Sequence, residues 1–464
     1  MPASLNGILQ VAKSGLLAHQ LAMEVTGHNI ANASTDGYSR QRAELVPGVP
    51  LRMPEGLLGT GVRVADITRA RNELLDGVFR RESSLFHGFQ TRSDVLSSVE
   101  AVFTEPTELG LAATLDAFWN AWGDLSNDPS STTARQLVVS AGEQLADHLR
   151  RTTAAIDVAG GRVAAQLGDE VGEVNRLLEE VADLNRQISS AARSARSAPD
   201  LADRRDLLLD RLATYVPVEV TPRDTGAVGV VINGVSVVEG VVFEQLAVSS
   251  AGGVWSLETS GGTTLGVRTG SMGAAVEVLN ADFALFRTQL DELAQGIVER
   301  VNAVHVTGTN PLGGTGVNFF EDYGDPTTVT AQNFALDAAV LADPQAVSAG
   351  TGDGGGNYQA GANDVALALA DLRNVTTGGV LDGRSINGAY RDLASAVGLA
   401  AGSALSSTAS HDVLRVAADE RRQSVFGVAT DEELIKVVQF QAGYTAAARV
   451  VTVVDEMYQT LLSI

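Results

Sequence analysis

The sequence predicts a mainly α protein with an inserted β domain. It is an α+β chain whose N- and C-terminal helices pair as a coiled coil, with a long helical bundle domain and a small antiparallel β domain between them. Three observations carry this reading: an apolar row in steps of three and four at each end, a long proline-free tract of helical pattern, and a Val-rich stretch of β pattern after it.

At the N-terminus the row is Leu5, Leu9, Ala12, Leu16, His19, Met23, Thr26 and Ile30, and near the C-terminus it is Val437, Phe440, Tyr444, Ala447, Val451, Val454, Tyr458 and Leu461. That spacing puts each row along one side of a helix, where it can seat against a facing helix. Either row alone is most simply an amphipathic helix on a globular core. Two at opposite termini invite pairing, so that the chain leaves and returns through one bundle. Of the −23 net charge, residues 1–45 carry 0 and residues 425–464 carry −3, which leaves the ends as packing surfaces and the middle as the water-facing part.

Pro129, Ser130 and Ser131 signal the start of a helix that runs to Ser194, with apolar positions at Val163, Leu167, Val171, Val174, Leu178, Val181 and Ile188. The Gly160–Gly161 pair is a place where it can bend or break, and the sequence leaves open whether the helix is continuous. Between Val216 and Val267 the pattern turns to β. Val228–Ile232 and Val235–Val238 flank Asn233–Gly234, a dipeptide suited to a two-residue hairpin, and Ala251–Gly252–Gly253 and Ser260–Gly261–Gly262 separate further short strands. Helical pattern returns from Ser271 to Val306, a polar Gly-rich stretch runs from Gly308 to Gly361, and a last helical block from Asn363 is interrupted near Thr376–Gly383. The expected domains are a terminal assembly unit of 1–45 with 425–464, a helical unit of 46–213 with 271–424, and the β insert at 214–270.

No catalytic, cofactor or metal site emerges. The chain has no cysteine, which removes disulfides, thiol nucleophiles and thiolate metal sites. With 33 basic against 56 acidic residues, nucleic acid and anionic membranes are poor partners. No stretch is long and apolar enough for membrane insertion. The six histidines, at 19, 28, 87, 148, 305 and 411, are scattered without ligand spacing. Gly352–Gly356 lacks the Lys-Ser/Thr of a phosphate loop, and Glu321, Asp322 and Asp325 depart from calcium-loop spacing. The segment MPASLNGILQVAKSGLLAHQ lacks the pattern of a cleaved secretory signal, so export without one, or a cytoplasmic life, is expected.

The segment NIANASTDGYSRQ, Asn29 to Gln41, reads as a helix ending near Asn32, a turn at Asp36–Gly37 with glycine free to take positive φ, and Tyr38 anchoring the turn before an extended run. It closely resembles the N-terminal signature of bacterial flagellar axial proteins. GTGVRVADITRARNELL from Gly59 resembles their next block, and DEELIKVVQFQAGYTAAARVVTVVDEMYQTLLSI from Asp431 their C-terminal helix. The turn Tyr38–Ser39–Arg40–Gln41, the long helical tract, and NDVALALADLRN (Asn363–Asn374) after Phe319–Phe320–Glu321–Asp322 resemble the hook-associated protein 1 (FlgK) family in particular.

The resemblance implies a structural, non-enzymatic flagellar protein at the hook–filament junction, exported without a cleaved signal and assembling as a ring of identical subunits. It also implies hook protein below, hook-associated protein 3 above, and a cytoplasmic export chaperone on the C-terminal helix. The expected inter-subunit packing residues are Leu5, Leu9, Ala12, Leu16, Met23, Ile30, Val437, Phe440, Tyr444, Ala447, Val451, Val454, Tyr458 and Leu461. The expected signature-turn residues are Asn29, Asn32, Gly37, Tyr38, Ser39, Arg40 and Gln41. Other readings are a hook or distal rod subunit and, from a different class, a secreted coiled-coil scaffold or adhesin.

Overall fold

The computed structural model describes residues 5–53, 56–103, 110–194, 197–353, 356–376 and 379–463. The chain opens with α1 (Leu5–Ala31) and strand β1 (Gln41–Pro47). A small hairpin of β2 (Leu51–Met53) and β3 (Gly56–Leu58) follows, and β4 (Val62–Arg69) returns antiparallel to β1. Four helices come next: α2 (Glu73–Phe103), α3 (Leu111–Asn127), α4 (Thr132–Arg193) and α5 (Pro199–Tyr215).

The helix predicted from Ser131 is a single unbroken α4 of 62 residues. Ser131 caps it, its Oγ accepting from the Ala134 N–H at 3.1 Å. The helix continues through Gly160–Gly161. A β-carbon at Gly160 would stand 3.4 Å from the Phe283 ring, an ordinary contact, and one at Gly161 would meet nothing within 4 Å, so close packing requires neither glycine. All seven apolar positions read from the sequence face the interior.

The β insert forms two antiparallel sheets. Strands β5 (Glu219–Pro222), β6 (Val228–Ile232), β7 (Val235–Glu239) and β8 (Val242–Phe243) pair in chain order. A separate meander holds β9 (Leu246–Ala251), β10 (Val254–Thr259) and β11 (Thr264–Leu265). Asn233 and Gly234, at φ 46° and 83°, make the expected turn between β6 and β7. Two asparagines of α4 fasten both sheets. Asn185 donates to the carbonyls of Val228 and Gly240, and Asn175 exchanges a donor and an acceptor with the backbone of Leu246.

Helix α6 (Gly270–Glu277) continues through a π-turn at Val278–Asp282 into α7 (Phe283–His305). The Gly-rich stretch after it lies over the bundle and plugs it with aromatics. Phe319, Phe320 and Phe334 are fully buried beside Phe118, Trp119 and Trp122, with neighbouring rings about 5–6 Å apart. Asn302 anchors this segment, its side chain accepting from the N–H groups of Phe319 and Phe320 and donating to the Phe320 carbonyl. The short α8 (Ala338–Ala342) and α9 (Asp364–Asp371) precede two long helices, α10 (Ile386–Phe426) and α11 (Thr430–Leu462).

One hydrophobic core gathers residues from Leu96 to Ala401. Helix α10 returns alongside α2, and α11 lies against α1. The terminal pair stands outside the main core. Its buried apolar residues, Ala12, Ala18, Ala22, Val25 and Val454, are small and form a thin seam of their own.

Candidate assembly interface

Helices α1 and α11 run antiparallel: Gly15 meets Ala447, His19 meets Gly443, and Asn29 meets Glu433. A β-carbon on Gly443 would fall 2.7 Å from the His19 ring, so this glycine sets the closest approach of the two helices. Of the row read on the C-terminal helix, Val454 is buried, while Val437, Phe440, Ala447, Val451 and Tyr458 are half-buried. Tyr444 and Leu461 are exposed. Tyr444 is turned aside because contact at its level passes through Gly443, and Leu461 lies past Leu5, where the described part of α1 starts. On α1, Ala12 is buried and Leu5, Leu9, Leu16, Met23 and Ile30 are half-buried. His19 lies in the seam, its ring 6.2 Å from that of Phe440.

The flanks and back of α11 are also apolar. Leu434, Val438, Ala442, Ala446, Val450, Val453 and Met457 recur in steps of three and four and are all exposed. A helix greasy on two sides is stable in water only when something covers the second side.

The signature turn joins this pair to the body of the protein. Asn29 is fully buried and uses every polar atom. Its Nδ2 donates to the Gln41 carbonyl (2.9 Å) and to Glu433 Oε2 (2.8 Å), and its Oδ1 accepts from Tyr38 Oη (2.8 Å) and the Gln41 N–H (2.9 Å). Arg40 donates to both Glu433 Oε1 (2.7 Å) and Glu432 Oε2 (2.8 Å), and Lys436 also reaches Glu433. Burial pushes the Glu433 carboxyl up, but donors from Asn29, Lys436 and Arg40 outweigh it and hold the group below its ordinary range. Burial together with Asp200, Asp203 and Glu433 pushes the Tyr38 phenol up, so it stays a neutral donor. Asn32 closes the helix end by donating to the His28 carbonyl, and Gly37 takes φ +76°. A cleft of about 460 Å³ between α1, β1 and α11 is lined by Arg40, Gln41, Glu432 and Glu433.

Behind the turn lies a buried ionic cluster that sequence reasoning missed. The Ser39 N–H donates to Asp203 (2.9 Å), and Gln41 Nε2 to Asp200 (2.7 Å). Arg69 spans Asp203 and Asp206 at 2.8 and 2.7 Å. Arg71 pairs with Asp76 at 2.8 Å, and Arg80 with Asp210 at 2.7 Å. Arg422 of α10 joins through Asp210 and Asp419 and sits 3.8 Å over the Phe79 ring. The available signal was Asp203, Asp206 and Asp210, whose i, i+3, i+7 spacing places three carboxylates on one face of α5, with Arg69 and Arg71 waiting after a strand. Desolvation raises Asp206, yet the guanidiniums of Arg71, Arg69 and Arg80 prevail and lower it.

The remaining sequence candidates serve local structure. Asp322 and Asp325 accept from the N–H groups of Gly324 and Thr327, and Glu321 from that of Tyr323. Among the described residues no group of acidic or histidine side chains is placed to hold a metal ion. Of Gly352–Gly356, residues 354–355 lie outside the described set.

Comparison with known proteins agrees with this geometry. The model of the FlgK helical domain matches residues 96–320, that of the flagella basal body rod protein matches 9–38, and that of the FlgEFG C-terminal domain matches 424–464. Flagellar hook-associated protein 1 of Bacillus subtilis is 28% identical across 98% of this chain and 97% of its own length. The chain belongs to the hook-associated protein 1 (FlgK) family. The Escherichia coli member is 26% identical over 68% of this chain and 60% of its own length, and the Salmonella typhimurium member 27% over 71% and 62%. The solved flagellar hook junction protein FlgK of Burkholderia pseudomallei shares the fold, with a TM-score of 0.66 at 16% identity over 75% of this chain and all of that one. As a FlgK-family chain the protein is a structural component of the bacterial flagellum, and among its described residues no helix is long and apolar enough to cross a membrane.

Proposed function

We propose that this hook–filament junction protein is held in the flagellum by its terminal helix pair, with identical copies arranged as a ring. The observation that carries this is the exposed apolar surface of α11 beside and behind the side already seated on α1. A lone copy leaves that surface wet, and a neighbour burying it gains about 1.5–3 kcal/mol for each large side chain before entropy is subtracted. Ordering of the pair is thereby coupled to assembly. The Asn29–Arg40–Glu433 joint passes force from the pair into α2, α5 and α10, and no catalytic role is needed. Residues 1–45 with 425–464 act as the assembly unit, and the helical body with its β insert as the outward part.

The same apolar side supports a cytoplasmic chaperone covering α11 before export, since the surface would otherwise be sticky. Export without a cleaved signal, hook protein below and hook-associated protein 3 above complete the reading. Removal of the chain from cells tests it. The expected result is intact hooks with unpolymerised flagellin shed into the medium, and normal filaments in such cells would refute the proposal. Loss of the hooks themselves would point to a hook or distal rod subunit instead.

A further inference from the structure

The hairpin of β2 and β3 is a two-stranded ribbon, with Leu51 opposite Leu58 and Arg52 opposite Leu57. Successive pairs point to opposite faces, so each face carries leucine. Leu57 is 71% exposed, and Val49, Leu51 and Leu58 are exposed as well, so neither face is covered. Two strands alone are marginal in water and are stabilised when a third strand or a helix packs on them. The place of the ribbon along the terminal pair is set by α1. The Val62 N–H donates to Ser14 Oγ at 3.2 Å, the Gly48 N–H donates to the Gly61 carbonyl at 2.8 Å, and a β-carbon at Gly61 would fall 3.2 Å from the Val11 backbone. The base of the hairpin therefore sits beside residues 11–14 of α1. Gly15 meets Ala447 across the antiparallel pair, so on α11 that level belongs to residues 448–451. There and in the two turns beyond, α11 exposes Val450, Val453 and Met457. Both surfaces stay exposed within one copy, so the hairpin does not cover its own α11. The exposed Leu405, Val413 and Val416 belong to α10, which runs along α2 instead of the terminal pair.

We propose that the β2–β3 hairpin of each copy packs on the exposed apolar surface of α11 in the next copy around the ring. The inference rests on the assembly reading above, which leaves open what covers α11. Hairpin and helix surface are different patches of one chain, and a head-to-tail contact of that kind, repeated by rotation, closes a ring. Rotation keeps height along the ring axis, so with the terminal pairs standing along that axis, surfaces that share a level meet between neighbours. The helix supplies the cover that the ribbon lacks, and the ribbon covers Val450, Val453 and Met457. Charge fits as well. Arg52 is the one charged residue of the two strands, and the apolar surface of α11 is bordered by Arg449 near the hairpin base and by Glu456 farther out. A strand continued along the pair carries Arg52 about 13 Å past Gly48, and α11 carries Glu456 about 11 Å past Arg449. Arg52 thereby stands beside the neighbour's Glu456.

Because the chain has no cysteine, introduced thiols report on the contact. Full-length Leu57→Cys and Val453→Cys are made singly and together. Both positions are exposed, and each variant is expected to melt within about 2 °C of the wild type. In intact flagella treated with a short bismaleimide, the double variant is expected to give a ladder of joined copies, and flagella built from both single variants a dimer holding one chain of each. No ladder, a link confined to one copy, or capture of a different flagellar protein overturns the proposal. Labelling of Val453→Cys with fluorescein maleimide tests the assembly reading by itself, and is expected to slow about tenfold or more from soluble protein to flagella. Slowed labelling without a ladder keeps that reading and rejects the hairpin as the cover, whereas equal rates reject both. Arg52→Glu and Glu456→Arg are each expected to lower incorporation about threefold or more, and the two together to restore most of it. A combined variant no better than either single one also overturns the contact.

Discussion

Asn29 shows how one side chain can decide a joint. Its four hydrogen bonds bind the helix end, the turn and α11 together, and the substitution Asn29→Asp removes two donors while setting a carboxylate against Glu433. The expected cost is about 3 kcal/mol in the docking of α11, read as faster hydrogen exchange in that helix with the core amides unchanged. His305 gives a pH signature. It is fully buried, with Nδ1 2.7 Å from the Val317 carbonyl and Nε2 accepting from the Ser348 N–H, and burial pushes it down to about 4. Between that value and the unfolded value near 6.5 the unfolded chain holds the extra proton, so stability is full above about pH 6.5 and falls as pH drops, by about 3 kcal/mol at most. Urea unfolding across this range should show the slope, and His305→Gln should lose it. The lowered Asp206 and Glu433 act in a different window: their contribution is complete above about pH 4.5 and disappears below it as they protonate. The role of Asn29 in a turn was legible from its motif, but its bond to Glu433 joins positions 404 apart, and no local pattern carries that.

Glycines decide how closely the helices approach. Gly443→Val drives a side chain into His19, and the expected outcome is separation of α11 from α1 at a cost of about 1–3 kcal/mol, seen as loss of protection in α1. Gly270, at φ +79° with a β-carbon position 2.2 Å from the Tyr215 carbonyl oxygen, opens α6 against the end of α5. Gly270→Ala should therefore lower core stability by more than about 3 kcal/mol, measured by thermal melting, with the terminal pair only secondarily affected. Element identity was largely readable, because α4 and the Asn233–Gly234 hairpin follow local periodicity and turn chemistry. The Gly160–Gly161 pair left the continuity of α4 open in the sequence, and the fold runs one helix of 62 residues through it. The Gly308–Gly361 stretch reads as polar and Gly-rich, yet the fold brings its Phe319 and Phe320 onto Phe118 and Trp122, which lie far away in the sequence.

The molecule divides into a thick core and a thin terminal seam, and the two should respond independently. Val450→Asp with Val453→Asp changes only the exposed side of α11 and is expected to abolish incorporation into flagella while leaving the monomer's melting temperature within about 2 °C. Val454→Asp, buried against α1, should instead loosen the pair in the monomer as well. Deletion of Asp431–Ile464 should leave a soluble folded body that does not assemble. Periodicity, turn chemistry and the family-like ends were enough to set the helices, the β insert, the pairing of the termini and the flagellar kinship, because these depend on neighbours within a few residues or on motifs kept whole. Which side of α11 faces its partner and which is left open, and the Arg–Asp cluster behind the turn, depend on residues far apart in the chain. Charge pairing and close packing act through space, so those features came into view only when the chain was folded.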